Sequence, residues 1–214
     1  MLTCLLSSCS SKLERKSIHA KLNENNQYVN NYIDDFKKKR GRFFSFFVKS
    51  MFNPPEKKKF ESVKLSNEIY KGNAKLITWS GHSTFLYQNL NVNVLTDPHF
   101  TNRASPLSFL GPKRYMPSVF NQKNIPRIDI VVISHNHYDH LDIKTVKIIF
   151  KENPEVTFLV PLGLKYWFNK NGFKNVIEFD WWESFEFNET KFVFVPVQHW
   201  SKRTFFDRNK SLWG

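Results

Sequence analysis

The sequence predicts an α/β fold in which a mixed sheet is covered by helices. Two observations carry that expectation. Short apolar runs such as Ile130-Val131-Val132-Ile133 alternate with segments whose apolar residues recur at helical spacing. Clusters of Gly, Asn, Asp and Pro separate them at short intervals, as turns between sheet and helix require. At 214 residues, 41% apolar and 16% aromatic, the chain is long enough for one domain with a real core, and it holds no internal repeats.

Residues 1–11 run from apolar to small to polar, and Leu6-Ser7-Ser8-Cys9 resembles a bacterial lipobox. It predicts a lipoprotein signal remnant, with the chain anchored to the cell envelope through a lipidated Cys9. The stretch before the cysteine is short for a signal peptide and carries no cation, so either the true start lies upstream of Met1 or the match is accidental. No later stretch approaches the roughly 18 consecutive apolar residues of a membrane span, which leaves lipid as the firm anchor. Both cysteines, Cys4 and Cys9, fall in this region, so the body has neither disulfide nor thiolate, and any metal chemistry there rests on His, Asp and Glu.

Residues 12–62 are rich in Lys, Asn and Ser and predict a polar extension outside the core, a tether leading into a short helix. Within it Lys37-Lys38-Lys39-Arg40-Gly41-Arg42 precedes Phe43-Phe44-Ser45-Phe46-Phe47. Such a segment suits a membrane interface, or equally a helix packed by its Phe residues. Asn53-Pro54-Pro55 ends it.

The compact domain is expected over 63–214. Residues 74–79, 84–87 and 92–96 read as a three-stranded meander, with turns at Ser80-Gly81-His82 and Asn89-Leu90-Asn91. A long loop over 100–128 leads to the strand at 130–133. Asp142 caps a predicted helix with apolar positions Ile143, Val146, Ile149 and Phe150. A strand at 157–160, a helix over 164–169 stopped by Asn171-Gly172, and strands at 176–179, 185–187 and 192–195 follow.

The chemistry concentrates in His135-Asn136-His137-Tyr138-Asp139-His140, three imidazoles and a carboxylate within six residues at the end of a strand. His135 and His137, two apart on an extended backbone, point the same way and can share an ion. Asp139 and His140, past a bend, can face a second. His199, also beyond a strand, supplies the third nitrogen of a three-histidine set that leaves a position open for water. His82 and His99 read as turn or surface residues, and Trp181 and Trp182 as packing against the sheet. The formal charge of +13 invites nucleic acid, an anionic membrane or phosphate-bearing substrates. Nucleic acid is disfavoured, because the body shows no basic-aromatic stacking module.

These ligands, with Asp97 after an early strand, resemble the metallo-β-lactamase superfamily, whose fold is an αββα sandwich. Thr78-Trp79-Ser80-Gly81-His82-Ser83-Thr84, Leu95-Thr96-Asp97-Pro98, Gly111-Pro112-Lys113-Arg114, Asp180-Trp181-Trp182-Glu183 and Gln198-His199-Trp200-Ser201 are similar to the N-acylphosphatidylethanolamine-hydrolysing phospholipase D family, from about Leu76 to Gly214. The resemblance implies that His135, His137 and His199 bind one zinc and that Asp139 and His140 bind another. Asp139 would also be catalytic, orienting hydroxide for hydrolysis of a phosphodiester in a phospholipid at an anionic membrane surface. That family takes a bridging aspartate and a last histidine from beyond the point matching Gly214. The resemblance therefore implies only the N-terminal half of the sandwich with part of its core, a half-built second zinc site and low activity for these residues alone. A lactonase, a nucleotide or nucleic-acid phosphodiesterase on the same scaffold, and an inactive truncated surface lipoprotein are the alternatives.

Overall fold

A six-stranded sheet forms the centre of the computed structural model, which describes residues 16–32, 45, 65–70, 75–89 and 91–214. Its strands are β1 (Leu76–Trp79), β2 (Phe85–Asn89), β3 (Val92–Thr96), β4 (Ile130–Val132), β5 (Thr157–Pro161) and β6 (Val176–Phe179), in that order across the sheet. The first three form the expected antiparallel meander, with Ile77 opposite Tyr87 and Leu86 opposite Leu95. From β3 onward the pairing is parallel, Leu95 beside Val131 and Val131 beside Phe158. Parallel neighbours need crossovers. Helix α1 (Ile143–Glu152) joins β4 to β5, and α2 (Lys165–Lys170) joins β5 to β6.

Side chains alternate between the two faces of each strand. Leu86, Leu95, Val131, Phe158 and Val160 point to one face and pack with Val146, Ile149 and Phe168 of the helices. Val94, Ile130, Leu159 and Phe179 point to the other, where they meet Phe185, Phe187 and Phe192 of a separate hairpin, β7 (Ser184–Phe187) and β8 (Thr190–Val193). The layers run helix, sheet, sheet. Asp142 caps α1 as expected, accepting from the Lys144 N–H at 3.2 Å and the Thr145 hydroxyl at 2.6 Å. The last strand begins earlier than its apolar run suggests. A two-residue turn at Asn188 and Glu189, with φ of 44° and 64°, fixes Phe187 opposite Thr190.

The N-terminal extension departs from expectation. Far from a tether outside the core, residues 16–32 pack against the domain: Tyr28 and Ala20 are buried in a cluster with Leu162, Trp181, Leu212 and Trp213. The physical reason is that side chains and backbone of the domain satisfy this segment's polar groups. Asp180 accepts from the Ser17 hydroxyl and the Ile18 and His19 N–H groups at 2.7, 2.6 and 3.0 Å. Asn23 folds the chain back by accepting from the N–H groups of Asn25 and Gln27. Tyr28 donates its N–H to the Asn209 carbonyl at 2.8 Å and receives the Asn209 amide at 3.0 Å.

Trp181 packs as expected, its ring N–H donating to the Trp213 carbonyl at 2.6 Å, whereas Trp182, at a φ of 69°, turns outward and is half exposed. Cys4, Cys9, the basic-aromatic block over 37–47 apart from Ser45, and the domain start near 63 lie outside the described residues. Among the described residues no helix is long and apolar enough to cross a membrane.

Candidate metal centre

The parallel pairing of β3 and β4 brings their carboxyl ends to one edge of the sheet, where α/β folds open a crevice for ligands. Asp97 follows β3, and the segment from Ser134 to His140 follows β4. The chain then bends sharply, with the N–H groups of His140 and Leu141 both returning to the His137 carbonyl, at 3.1 and 2.8 Å. This bend separates the histidine pair from Asp139 and His140.

Two clusters result. His135 Nε2 lies 2.7 Å from His137 Nδ1 and 3.0 Å from His199 Nε2, so the three predicted histidines converge. His82 Nε2 lies 3.1 Å from both His140 Nε2 and Asp139 Oδ2. Within each trio the candidate ligand atoms all fall within 4.8 Å of one another. A tetrahedral ion with bonds near 2.0–2.1 Å separates its ligands by about 3.3 Å. Both clusters are close to that spacing.

His82 is the exposed turn residue the sequence predicts, and it also joins the second cluster. It sits in the turn between β1 and β2, at a φ of 51°, and the pairing of Phe85 with Thr96 carries that turn to the same sheet edge as Asp97. The local pattern held no sign of this; the cross-strand register does. His99, by contrast, is no surface residue. It is buried, its N–H donates to Thr84 Oγ1 at 3.2 Å, burial lowers its pKa, and it belongs to neither cluster.

Asp97 orients both clusters. Its Oδ1 accepts the Ser134 N–H at 2.7 Å, and its Oδ2 accepts the Ser134 hydroxyl at 2.7 Å and faces His140 Nδ1 at 2.8 Å. Because the Ser134 proton goes to Asp97, the 2.8 Å contact of Ser134 Oγ with His135 Nδ1 requires that nitrogen to be the donor. His135 and His140 thus both carry their proton on Nδ1 and turn a bare Nε2 toward their clusters. Burial, then the neighbouring His140, His137 and His199, push the His135 pKa down to about 2, so it stays neutral. Burial drives the Asp139 carboxyl upward, but the hydrogen bond from His82 and the other polar groups around it outweigh burial and hold Asp139 below the usual carboxylate range. The hydrogen bond to Asp139 raises His82 in turn.

This donor chemistry fits a cation. The single lone pair on His135 Nε2 faces two other ring nitrogens and can accept a full hydrogen bond from only one of them, whereas an ion between the three satisfies all of them. Imidazole with carboxylate, and no thiolate, is a donor set for a divalent transition-metal cation.

A cavity of about 800 Å³ opens over the clusters. Its lining includes His82, His137 and Asp139 of the clusters, the apolar side chains of Trp79, Tyr115, Met116, Tyr138 and Trp200, and the cations Lys113 and Lys202. Arg114 also lines it, but its guanidinium is engaged by the carbonyls of His99 and Ser80 at 2.8 and 2.7 Å. The approach to Ser80 depends on Gly81, where a Cβ would lie 2.8 Å from Arg114 Nη2.

Residues 92–214 match the family described as the beta-lactamase superfamily domain. The chain is 39% identical over 157 residues to the N-acyl-phosphatidylethanolamine-hydrolyzing phospholipase D 1 of Caenorhabditis elegans, covering 69% of this chain and 44% of that one. The mitochondrial N-acyl-phosphatidylethanolamine-hydrolyzing phospholipase D of Saccharomyces cerevisiae is 37% identical over 143 residues, 64% of this chain and 30% of its own. A metal-dependent hydrolase of Thermodesulfovibrio yellowstonii is 29% identical over 143 residues, 64% of this chain and 49% of its own. The chain spans less than half the length of each of these relatives.

Proposed function

The chain belongs to the beta-lactamase superfamily domain family, and from that premise we propose that it is a zinc-dependent hydrolase of the phospholipase D type, acting on N-acylphosphatidylethanolamine-like lipids. The observation that carries the reading is the cavity, whose lining joins apolar side chains and two lysines to His82, His137 and Asp139 of the two clusters. A lipid phosphodiester is anionic at the reacting phosphorus and apolar on either side of it, and that is the complement of these walls.

His135, His137 and His199 would hold one zinc, and Asp139, His140 and His82 are placed to hold another. When bound, the cation supplies Lewis acidity toward phosphoryl oxygens and lowers the pKa of a water to about 7. Lys113 and Lys202 attract the phosphodiester and orient its free oxygens. Asp139, kept ionised, accepts a hydrogen bond from the attacking water through its carboxylate. Hydrolysis breaks the phosphorus–oxygen bond on the head-group side; the hydroxyl of water joins phosphorus, and the departing alkoxide takes up a proton. The products are a phosphatidic acid and an N-acylethanolamine.

An anionic membrane is the proposed partner surface. Phe205 and Phe206, 89% and 86% exposed, follow Lys202, and Phe109 and Leu110 precede Pro112 on the other loop that borders the cavity. Aromatic tips beside lysines suit the boundary between headgroups and acyl chains. The test is release of N-acylethanolamine from vesicles containing N-acylphosphatidylethanolamine by the zinc-loaded protein and its His135→Ala variant. Release that the variant lacks is expected. No release, with turnover of a nucleotide diester or a lactone instead, overturns the lipid assignment.

A further inference from the structure

We infer that Asn30, outside the family-matched residues 92–214, is a positioning residue for His199, an inference that rests on the metal-centre reading above. Asn30 Oδ1 accepts the His199 N–H at 3.2 Å, and Asn30 Nδ2 donates to the His199 carbonyl at 3.1 Å. One side-chain amide thus closes both backbone polar groups of one residue, as a neighbouring strand would. His199 needs that support. It lies beyond the end of β8 at Val193, outside any named strand, so no ladder fixes its backbone. Its ring nevertheless stands 3.0 Å from His135 Nε2.

Asn30 can act as a fixed point because its own segment is anchored. Two residues earlier Tyr28 is fully buried and trades hydrogen bonds with Asn209, and the Gln27 amide donates to the Arg208 carbonyl at 3.1 Å. The ordered N-terminal segment and the stretch from His199 to Asn209 therefore hold each other. A metal ligand whose backbone is freed shifts out of coordination range with little else disturbed, because bonds near 2.0–2.1 Å tolerate only a few tenths of an ångström. The three-histidine group is complete only while the N-terminal segment is docked.

The experiment compares zinc affinity of the wild-type chain with Asn30→Ala, Asn30→Asp and Asn31→Ala, alongside amide hydrogen exchange of each metal-free protein. Asn31 sits on the same segment and, among the described residues, bonds within it, donating to the His19 carbonyl at 3.0 Å and accepting from the Lys21 N–H at 3.4 Å. Asn30→Ala is expected to weaken zinc binding about 10–100-fold, the range for groups that orient metal ligands. It should also deprotect the His199 amide while leaving that of Asn209, bonded to the Ser201 carbonyl at 2.8 Å, protected. Asn30→Asp keeps the acceptor and loses the donor, so it should fall between, and it serves if the alanine variant does not fold. Asn31→Ala should bind as wild type. If Asn30→Ala binds as wild type while His199→Ala loses zinc, the metal reading stands and the Asn30 inference fails. Equal weakening by Asn31→Ala also overturns it, since the segment would then act through folding alone. A wild-type chain that binds no zinc removes both.

Discussion

Asp97 and His140, 43 positions apart in sequence, meet through a 2.8 Å contact between a carboxylate oxygen and Nδ1, and that contact aims the His140 lone pair into the second cluster. The same carboxylate reaches His135 through Ser134 and so sets the first. Asp97 stands at a φ of 37°, a conformation unfavourable for a residue with a side chain and one that recurs at functional sites.

Replacing Asp97 should therefore damage both clusters together. Asp97→Ala is expected to weaken zinc binding about 10–100-fold at each. It should also lower stability by roughly 1–3 kcal/mol, because the Ser134 N–H loses its acceptor. Calorimetric titration with zinc and urea unfolding of the metal-free chain read the two effects separately. Loss at only one cluster would show that Asp97 is not shared.

His82→Ala should act on one cluster alone. The cluster of Asp139 and His140 loses a nitrogen 3.1 Å from each, while the three-histidine cluster is untouched. Cobalt(II) titration should show the site of Asp139 and His140 diminished and the spectrum of the three-histidine site unchanged. A changed spectrum at the three-histidine site would contradict the separation into two groups.

The attachment of the N-terminal segment should depend on pH through Asp180. Burial alone would raise its pKa, but the hydrogen bonds from His19, Ser17, Ile18 and Trp181 outweigh it and hold the carboxyl below its ordinary value. A depressed carboxyl contributes stability that is present above the unfolded value, about 3.9, and is lost as pH falls through the folded one. Asp180→Asn should then be less stable than wild type by roughly 1–3 kcal/mol at pH 7, with the gap closing below about pH 4. Urea unfolding at both pH values measures it, and a gap that widens in acid would reverse the sign.

Gly163 sits at a φ of 94°, and a Cβ there would lie 2.9 Å from the Lys210 carbonyl oxygen. That contact is with backbone and cannot swing away. Gly163→Ala should cost roughly 1–3 kcal/mol from strain. Gly172, at a φ of 90° but with open space around its missing Cβ, offers the comparison in which only conformation is strained. Thermal unfolding of the two variants should show Gly163→Ala the more destabilised.

The sheet and helices were legible because their patterns are local: β3 and α1 lie where periodicity and the Asp142 cap predict them. The cluster from His135 to His140 was legible for the same reason, being compressed into six residues. What the sequence hid is assembled across distance. The Asn30 clasp closes over 169 positions, and His82 reaches its cluster only through the register of β2 on β3. The docked N-terminal segment was hidden by composition, since its many polar residues suggest solvent exposure and its two buried residues, Ala20 and Tyr28, show no periodicity.

The central claim is that His135, His137 and His199 form a cation site in the folded chain. Zinc bound per chain, measured on metal-stripped and reloaded wild-type protein and on the variant with all three histidines replaced by alanine, tests it most directly. At least one tightly held zinc per wild-type chain, absent from that site in the triple variant, is the expected result; a wild-type chain with no zinc, or a triple variant that retains its full complement, would contradict it.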